Sequence, residues 1–350
     1  MTQHICIAAN NGEIGGGEVM LLNIARALRS LGHRVTVIAP SQPDELLEAA
    51  RDEGFTTVAL PAENRKAYMA QLRLWRSRNR QGLLWCNGLV PSLATAGDKN
   101  RIVHLHQLPL GAQKYALGIA RRGALEVIVP SNFIAGKIKG SRVLANWVSS
   151  AAGRPQSQEK ITSTVRVGFL GRPSTIKGTH TLARALCSLN ASGALTYELV
   201  IGGEAKFIDS ESQMTVAESL ESLGDKVRLL GWVTPEALFE QTDILVVPSE
   251  VDESFGLVAA EAMSARHPLI VSDAGALPEV VGPDFPWVFA QGNSDQLAHM
   301  IEAKAHQLIE FPEQAENEAL SAYWRWQENY SPEAGKHTVQ QFLGTVPPSA

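Results

Sequence analysis

Two glutamates frame the segment ESFGLVAAE, and their spacing suggests a functional role. Glu253 and Glu261 are separated by seven residues that include Gly256. Carboxylates that act as acid and base in glycosidases lie roughly 5–9.5 Å apart, whereas eight residues of continuous helix rise about 12 Å. The spacing therefore favours binding of the two ends of one extended ligand over an acid pair. Two solvated glutamates are the other alternative.

Two cations follow a predicted buried strand. Arg172 and Lys177 lie in the loop RPSTIKG, directly after VGFLG. An arginine and a lysine in one loop can neutralise a diphosphate, the arginine as a bidentate fork and the lysine as a point charge. Either residue alone would more often be an ordinary surface charge. Together they predict a phosphate-binding loop.

A glycine-rich loop near the amino terminus is a second candidate for anion binding. The run Gly15-Gly16-Gly17 stands between the predicted strand HICIAA and a predicted helix. Glycines let backbone N–H groups approach a phosphate, and the helix dipole favours its negative charge. The position three residues after Gly17 is Met20, so the dinucleotide fingerprint is incomplete and a nicotinamide cofactor is disfavoured. A purely structural turn is the alternative.

Two histidines, His104 and His106, alternate along the predicted strand RIVHLHQ and would share one of its faces. Metal binding would need further ligands, and no Asp-x-Asp or His/Cys cluster in the sequence supplies them. We therefore expect one histidine to line a site and the other to be buried in the core. No catalytic metal is predicted.

The order of predicted elements indicates the fold class. Strand, glycine loop, helix and strand at the amino end form a βαβ unit, which implies a parallel sheet. The pattern restarts at VRVGFLG, after the polar stretch SSAAGRPQSQEKITST. We expect a doubly wound domain at 1–150, a second at 151–328, and at 329–350 a helix that packs back on the first domain before a tail. Such sheets bind ligands at the carboxyl ends of their strands, so a cleft between the two domains is the expected site.

Composition narrows the class of protein. The 350 residues are 45% hydrophobic and 19% charged, as in globular proteins. No apolar run is long enough to span a bilayer, no secretion signal is visible, and three cysteines stand far apart. These features predict a cytoplasmic protein. The net charge of −5 hides an asymmetry, because residues 1–150 carry 18 Lys+Arg against 10 Asp+Glu and the remainder carries 13 against 26. The basic half is expected to meet an anionic partner.

Much of the basic excess lies in one predicted helix, RKAYMAQLRLWRSRNR. Arg73, Arg76, Arg78 and Arg80 surround Trp75 in it. Two interpretations stay open: a solvated helix face, or contact with an anionic acceptor or with the inner surface of a membrane, where the protein would be peripheral. Nucleic acid is disfavoured as a partner because no recognised motif accompanies the charge.

Four segments carry a resemblance to a known family: GGGEVMLLNIARALRSLGHRVTVI, FLGRPSTIKG, VRLLGWV and VVPSEVDESFGLVAAEAMSARHPLIVSDAGALPEVV. With them the chain resembles retaining glycosyltransferases of the GT-B fold, specifically glycosyltransferase family 4, over essentially its whole length. The resemblance implies two Rossmann-like doubly wound domains facing a cleft. It also implies transfer of a hexose-type sugar from a UDP- or GDP-sugar to a hydroxyl acceptor, with no metal or cofactor, in bacterial glycan, glycolipid or glycosylated-metabolite synthesis.

The resemblance also assigns roles to residues. Catalytic roles fall to four residues: His106, Arg172, Lys177 and Glu253. The donor nucleotide and its phosphates are expected to contact eight: Gly16, Gly17, Arg172, Lys177, Phe255, Gly256, Leu257 and Glu261. By this resemblance Glu253 and His106 contact the donor sugar. Glu261 holds the ribose hydroxyls, and the two cations hold the diphosphate.

Some positions depart from the family's pattern. Asn87 stands where a histidine is frequent, and Trp147 and Ser149 stand where a glycine and an aspartate are frequent. Because they lie outside the glutamate and cation pairs, these departures bear on specificity more than on activity.

Alternatives to transfer stay open at this point. One is a nucleotide-sugar epimerase-like GT-B enzyme, or a phosphorylase of the same architecture. Another is a non-catalytic component of a glycan assembly complex that binds a sugar nucleotide. In the transferase, the acceptor is expected to be hydroxylated: an anionic lipid, a lipid-linked glycan and a small hydroxylated metabolite all fit.

Overall fold

The computed structural model describes residues 2–151, 161, 163–193, 195–204 and 210–346. Its contacts separate two compact units, Met1–Trp147 with Pro332–Ala350, and Val148–Ser331. The separation lies three residues before the predicted boundary at 150, and the carboxyl-terminal helix is part of the first unit. Most of the polar connection predicted near 150–163, and the final residues 347–350, lie outside the described residues.

In the described part of the first unit, seven parallel strands form one sheet in the order β3-β2-β1-β4-β5-β6-β7. Its elements are β1 (His4–Ala9), α1 (Gly16–Ser30), β2 (Arg34–Pro40), α2 (Glu45–Asp52), β3 (Thr56–Leu60), α3 (Arg65–Arg78), β4 (Leu83–Asn87), α4 (Leu89–Ala94), β5 (Arg101–His104), α5 (Gln113–Ala120), β6 (Glu126–Val129), α6 (Asn132–Lys137), β7 (Arg142–Val143) and the terminal α14 (Pro332–Thr345). Strand order reverses between β1 and β4, which is where open α/β sheets bind ligands. Ala9 pairs with Asn87 and Asn87 with His104, so three strands end together at this point.

The second unit repeats this plan with six parallel strands among its described residues, in the order β10-β9-β8-β11-β12-β13. Its elements are β8 (Thr164–Leu170), α7 (Thr179–Ser192), β9 (Thr196–Gly202), α8 (Ser210–Glu221), a 3₁₀ turn (Gly224–Lys226), β10 (Val227–Gly231), α9 (Pro235–Phe239), β11 (Ile244–Val247), α10 (Leu257–Ser264), β12 (Leu269–Ser272), α11 (Leu277–Val281), β13 (Val288–Phe289), α12 (Ser294–Glu310) and α13 (Pro312–Asn329). Here the order reverses between β8 and β11. The loops that follow these two strands carry Lys177 and Glu253.

Both faces of each sheet are covered, which explains the near-continuous apolar strands in the sequence. In β1, Ile5 and Ile7 join the core beneath α1, while Cys6 and Ala8 join a second core beneath α3. Successive strand residues point to opposite faces, so a strand buried on both sides has no place for an alternating polar residue. The expected doubly wound architecture follows from this pattern in both units.

Helix α14 closes the first unit by packing on α1. Its Val339 and Phe342 lie in the same apolar core as Trp147, which is buried. Gly335 of α14 faces the Trp147 ring so closely that an added Cβ would overlap the indole. Trp147, a departure from the family's pattern in the sequence, is therefore a core residue here.

Helix α3 has a mixed surface rather than four exposed arginines. Arg73, Arg78 and Arg80 are exposed, but Arg76 is only 4% exposed. Its guanidinium is ion-paired with Asp98 at 2.6 Å and also donates to backbone carbonyls. The prediction that Arg76 belongs to the surface cluster is wrong, because its side chain is buried against these acceptors. No helix within the described ranges is both long and apolar enough to cross a bilayer.

Candidate active site

The glycine run in the first unit forms the start of α1 rather than a free loop. Gly15 is the residue that caps the helix, and Gly16 and Gly17 are its first two members. The carboxylate of Glu18 accepts a hydrogen bond from the Gly15 N–H at 3.2 Å. N–H groups in the first turn of a helix have no partner within the helix, so this end offers donors to an anion.

The predicted catalytic histidine lies directly against the glycine run. A Cβ added to Gly17 would lie 3.4 Å from Cδ2 of His106, within van der Waals contact of the ring. Asn87 joins the two residues: its Nδ2 donates to the carbonyl of Gly17 at 3.1 Å, and its Oδ1 bonds with His106 Nε2 at 2.6 Å. Glycine run, strand end and histidine are thus one hydrogen-bonded group.

The second histidine, His104, is fully buried at the end of β5. The indole N–H of Trp85 donates to its Nδ1 at 3.3 Å, and its ring centroid lies 4.1 Å from that of His106. Burial lowers the pKa of His106 to about 4 and lowers the pKa of His104 well below its ordinary value, with a further contribution to His104 from His106. Both imidazoles are therefore neutral at pH 7. Among the described residues, no group of three or more His, Cys, Asp or Glu side chains could hold a metal ion.

In the second unit, Lys177 and Glu253 meet at the point where strand order reverses. Lys177 Nζ lies 2.6 Å from Glu253 Oε1, and the hydroxyl of Ser249 donates to the same oxygen at 2.6 Å. The two loops are also tied by their backbones, since the N–H of Glu250 donates to the carbonyl of Ile176 at 2.9 Å. The fold thus brings together two predicted site residues that are 76 positions apart.

The backbone of Glu253 is held from its other side by Gly275. The two residues form an isolated parallel bridge, and the Ala276 N–H donates to the carbonyl of Glu253 at 2.9 Å. Gly275 has φ of 64°, a left-handed conformation that favours glycine. A Cβ there would lie 2.5 Å from the Glu253 nitrogen. Glu253 is therefore fixed at its side chain by Lys177 and Ser249 and at its backbone by Gly275.

Arg172 differs from Lys177 in its surroundings. Its side chain is exposed, and its guanidinium makes no hydrogen bond or ion pair with any described residue. Lys177 is already paired with a carboxylate, so the uncompensated positive charge of this loop resides on Arg172. An arginine that keeps all five N–H donors unused can bind an incoming phosphate through two of them.

The segment Phe255-Gly256-Leu257 makes the turn into α10. Gly256 precedes the helix with φ of 107°, and a Cβ there would lie 2.5 Å from Leu277 Cδ2. The Phe255 ring is buried and packs edge-to-face on Tyr330 at 5.2 Å. The side chain of Phe255 is thus a packing element, and the first N–H groups of α10 are the atoms in this segment that can bind an anion.

Glu261 lies on α10, and its carboxylate makes no hydrogen bond with the described residues. Burial, with a smaller contribution from Glu236, raises the pKa of its carboxyl to about 7. A half-buried carboxylate without a partner is costly for the fold, and such costs are common where a ligand is bound. Two hydroxyls of a ligand would satisfy it.

Sequence reasoning missed two residues of these groups. In the sequence, Asn87 stands out only as a departure from the family's pattern, and no motif marks Ser249. Asn87 ends β4 and Ser249 lies two residues after β11, and both strands are next to the reversal of strand order. A polar residue at that position of a doubly wound sheet is the signal that could have found them.

Two family models match most of the chain. Residues 14–145 match the family model of Glycosyltransferase Family 4, and residues 164–306 match that of Glycosyl transferases group 1. An uncharacterized glycosyltransferase of Methanocaldococcus jannaschii is 35% identical over 136 residues, which are 37% of this chain and 33% of that protein. A D-inositol 3-phosphate glycosyltransferase of Corynebacterium urealyticum is 27% identical over 183 residues, 51% of this chain and 42% of that protein. The matched regions thus span less than half the length of these curated relatives.

Among solved structures, the chain is similar to Anabaena HepE in complex with UDP and glucose. The TM-score is 0.80 and the identity 20%, over 98% of this chain and 100% of HepE. This likeness shows the fold: two Rossmann-like α/β domains of the GT-B type. The two family models and the fold together place the chain among the glycosyltransferases, with a family 4 domain followed by a group 1 domain.

Proposed function

We propose that this protein is a retaining glycosyltransferase that moves a hexose-type sugar from a UDP- or GDP-sugar to a hydroxyl acceptor. The observation that carries the proposal is the Lys177–Glu253–Ser249 cluster at the point of the second sheet where ligands bind. HepE, which shares the fold, has been solved with UDP-glucose. A nucleoside-diphosphate sugar has three parts that the residues of this unit can bind: ribose hydroxyls, a diphosphate and a sugar.

The roles follow from the charges. Arg172, with unused donors, takes the diphosphate together with Lys177, so side-chain cations rather than a metal ion neutralise the leaving group. Glu261 accepts hydrogen bonds from ribose hydroxyls. Glu253, held by Ser249, accepts from sugar hydroxyls and orients the reacting carbon. None of these steps asks for a strong acid, because a neutralised diphosphate is a good leaving group.

The transfer needs no reagent besides the donor and the acceptor. The bond between sugar C1 and the diphosphate oxygen breaks, and the electron pair leaves with that oxygen. C1 passes through an oxocarbenium-like state and bonds to the acceptor hydroxyl oxygen on the same face. The hydroxyl proton moves to the departing phosphate, which the two cations hold in place. Retention of configuration follows from attack on the face that the phosphate leaves.

A coupled assay tests the proposal. UDP-glucose, GDP-mannose and related donors are incubated with a panel of hydroxylated acceptors, and nucleotide release is measured with and without acceptor. Acceptor-dependent release is expected, with retained anomeric configuration by NMR. Release without acceptor, or an isomerised sugar, would indicate an epimerase-like enzyme. Nucleotide binding without any turnover would indicate the non-catalytic component.

The double variant Arg172→Ala/Lys177→Ala is expected to abolish release while the circular dichroism spectrum stays unchanged. Lys226→Ala is the matched control, because Lys226 is a surface lysine of the same unit at the amino end of β10. Wild-type turnover in the double variant would refute the assignment of the leaving-group cations.

The acceptor is proposed to be lipid-linked, because the first unit carries exposed apolar side chains in the segment that follows the predicted catalytic histidine along the chain. Leu110, Tyr115 and Ile119, on α5 and the turn before it, are 64%, 83% and 47% exposed. We name these three residues the α5 patch. Residues 101–150 contain seven Lys and Arg against one Glu. Apolar side chains within a basic segment fit a bilayer surface with anionic lipids.

Vesicle co-sedimentation tests this surface. Wild-type protein should bind vesicles that contain about one third anionic lipid and bind neutral vesicles weakly. Replacing the three residues of the α5 patch by serine should abolish binding and leave transfer to a soluble acceptor unchanged. Leu74→Ser on α3, whose side chain is 46% exposed, is the matched control. Loss of binding with Leu74→Ser instead would assign the membrane contact to the basic helix α3.

A further inference from the structure

The hydrogen bonds around Asn87 leave only one arrangement of protons. A backbone carbonyl can only accept, so the group of Asn87 that faces the Gly17 oxygen must be its NH₂. The other end of the amide, which faces His106, is then the oxygen. An oxygen acceptor 2.6 Å from His106 Nε2 requires a proton on that nitrogen. The orientation of the amide thus follows from Gly17 and sets the state of the histidine.

The rest of the ring follows from burial. His106 Nδ1 is buried and has no hydrogen-bond partner within the described part of the chain. A proton there would be an unsatisfied buried donor on a charged ring, which is strongly disfavoured. His106 is therefore a neutral imidazole with its proton on Nε2 and a lone pair on Nδ1.

His104 has the same kind of fixed state. An indole N–H only donates, so the Nδ1 of His104 that accepts from Trp85 carries no proton. Its Nε2 carries the proton, and this atom too is buried and without a partner in the described residues. The two neighbouring rings, tilted by 47° to each other, therefore hold one unused donor, on His104, and one unused acceptor, on His106.

We propose that Asn87 is a positioning residue for the transfer reaction: it locks His106 as the Nε2–H tautomer and ties that ring to the first turn of α1 through Gly17. Without Asn87, the imidazole could turn or exchange tautomers. The distance between the His106 ring and the first turn of α1 would no longer be fixed. Because the glycine run and His106 are both predicted to act on the reactants, one amide sets the geometry of both. The residue type matters, since only a side chain with one donor and one acceptor can bridge these two groups.

Within the part of the chain that the structure describes, the contacts of the His106 ring come from three elements. His104 on β5 is the titratable group packed against it, and β4 and α1 contribute Asn87 and Gly17, which do not titrate. The carboxylate in the first turn of α1, that of Glu18, is bonded to the Gly15 N–H. A carboxylate placed at position 87 would consequently be a new anion at the imidazole, and it would raise the pKa of His106.

The tautomer can be measured directly by long-range ¹H–¹⁵N NMR on protein labelled at histidine, with His106→Gln used to assign the signals. We expect a protonated Nε2 and an unprotonated Nδ1 from pH 6 to 8. In Asn87→Leu, the preference for Nε2–H should be lost. In Asn87→Asp, the pKa of His106 should rise above its wild-type value, because a carboxylate would face Nε2–H. A wild-type ring with its proton on Nδ1 overturns the proposal.

Kinetics at saturating donor supply the second readout. In Asn87→Leu, kcat should fall by roughly tenfold or more with a change in KM below about threefold. In Asn87→Asp, kcat should change with pH at a higher pH than in the wild type, because the imidazole with the raised pKa gains charge earlier as the pH falls. Asn23→Leu is the matched control: Asn23 is also buried in the first unit and donates to a carbonyl, that of Trp147, at 2.9 Å. It should lose stability and keep kcat.

The outcomes separate this proposal from the proposed function, on which its kinetic part rests. The tautomer is measured without substrate, so it stands or falls on the NMR alone. Equal loss of kcat in Asn87→Leu and Asn23→Leu, with an unchanged tautomer in both, would show a merely structural role for Asn87. No turnover in the wild type with any donor would reject the proposed function and leave the tautomer result to decide the inference.

Discussion

The carboxylate of Glu261 should make this protein less stable at high pH, and replacing it should reverse the effect. Its pKa is raised from 4.5 to about 7, first by burial and then by Glu236. The folded state thus holds a proton that the unfolded state releases between these two values. The carboxyl of Glu261 therefore does not destabilise the fold below pH 4.5, where both states are protonated. As the pH rises towards 7, its ionisation in the unfolded state lowers the free energy of unfolding.

The magnitude follows from the size of the shift. Each pKa unit corresponds to about 1.4 kcal/mol, so the charged carboxylate costs about 3 kcal/mol at pH 8 and about 1 kcal/mol at pH 5. Glu261→Gln removes the charge and keeps the shape. The variant should therefore gain about 2 kcal/mol more over the wild type at pH 8 than at pH 5.

Urea unfolding at the two pH values, followed by circular dichroism, measures this difference. Glu316→Gln on α13 is the control, because Glu316 is exposed and should show no such difference. The reasoning would be refuted if Glu261→Gln changed the free energy of unfolding by the same amount at pH 5 and at pH 8. The carboxyl would then be ionised to the same extent at both pH values.

Ligand affinity should move in the opposite direction. If ribose hydroxyls donate to the Glu261 carboxylate, its ionised form binds better, and the protein must release a proton to bind below pH 7. The phosphates of UDP-glucose do not titrate in this range. The Kd for UDP-glucose should therefore be about tenfold higher at pH 6 than at pH 8. In Glu261→Gln it should be weak and independent of pH. Isothermal titration calorimetry without acceptor measures both.

Two further substitutions test the packing and the orientation of the site. Gly335→Ala should destabilise the fold by about 1–3 kcal/mol, because its Cβ would overlap the Trp147 ring; Gly344→Ala on the same helix, where nothing lies within 4 Å, should be neutral or slightly stabilising in thermal unfolding. Ser249→Ala removes the hydrogen bond to Glu253, which corresponds to roughly 1 kcal/mol. It should lower kcat/KM for the sugar donor by about fivefold and leave the Kd for UDP unchanged, whereas equal effects on both would contradict the sugar-side role of Glu253.

The fold was accessible from the sequence because its signals are local. Both sheets are parallel and buried on both faces, so their strands appear as short apolar runs between helices of clear periodicity. The comparisons confirm the GT-B fold and the family that the sequence motifs indicated. The local backbone also explains two glycines of the motifs, since Gly256 and Gly275 occupy left-handed conformations that favour glycine.

Surface and interior were harder to separate along the helices. In α3, Arg76 has the same residue type as its exposed neighbours Arg73 and Arg78, and nothing nearby in the sequence distinguishes it. Its burial depends on Asp98, 22 positions further on, whose carboxylate compensates the charge. A buried charge is tolerated only with such a partner, and the partner is brought there by the fold.

Residue types and their order determined the architecture, the family and the cations and carboxylates that a sugar nucleotide would need. Only the tertiary structure decided which of them act together: Glu253 with Lys177 and Ser249, and His106 with Asn87 and Gly17. The physical reason is that hydrogen bonds act over about 3 Å, and only the folded chain brings residues tens of positions apart within that distance. Periodicity and spacing report the local backbone, while the state of a single imidazole proton depends on the end of β4, the start of α1 and the segment after β5, which meet at one point.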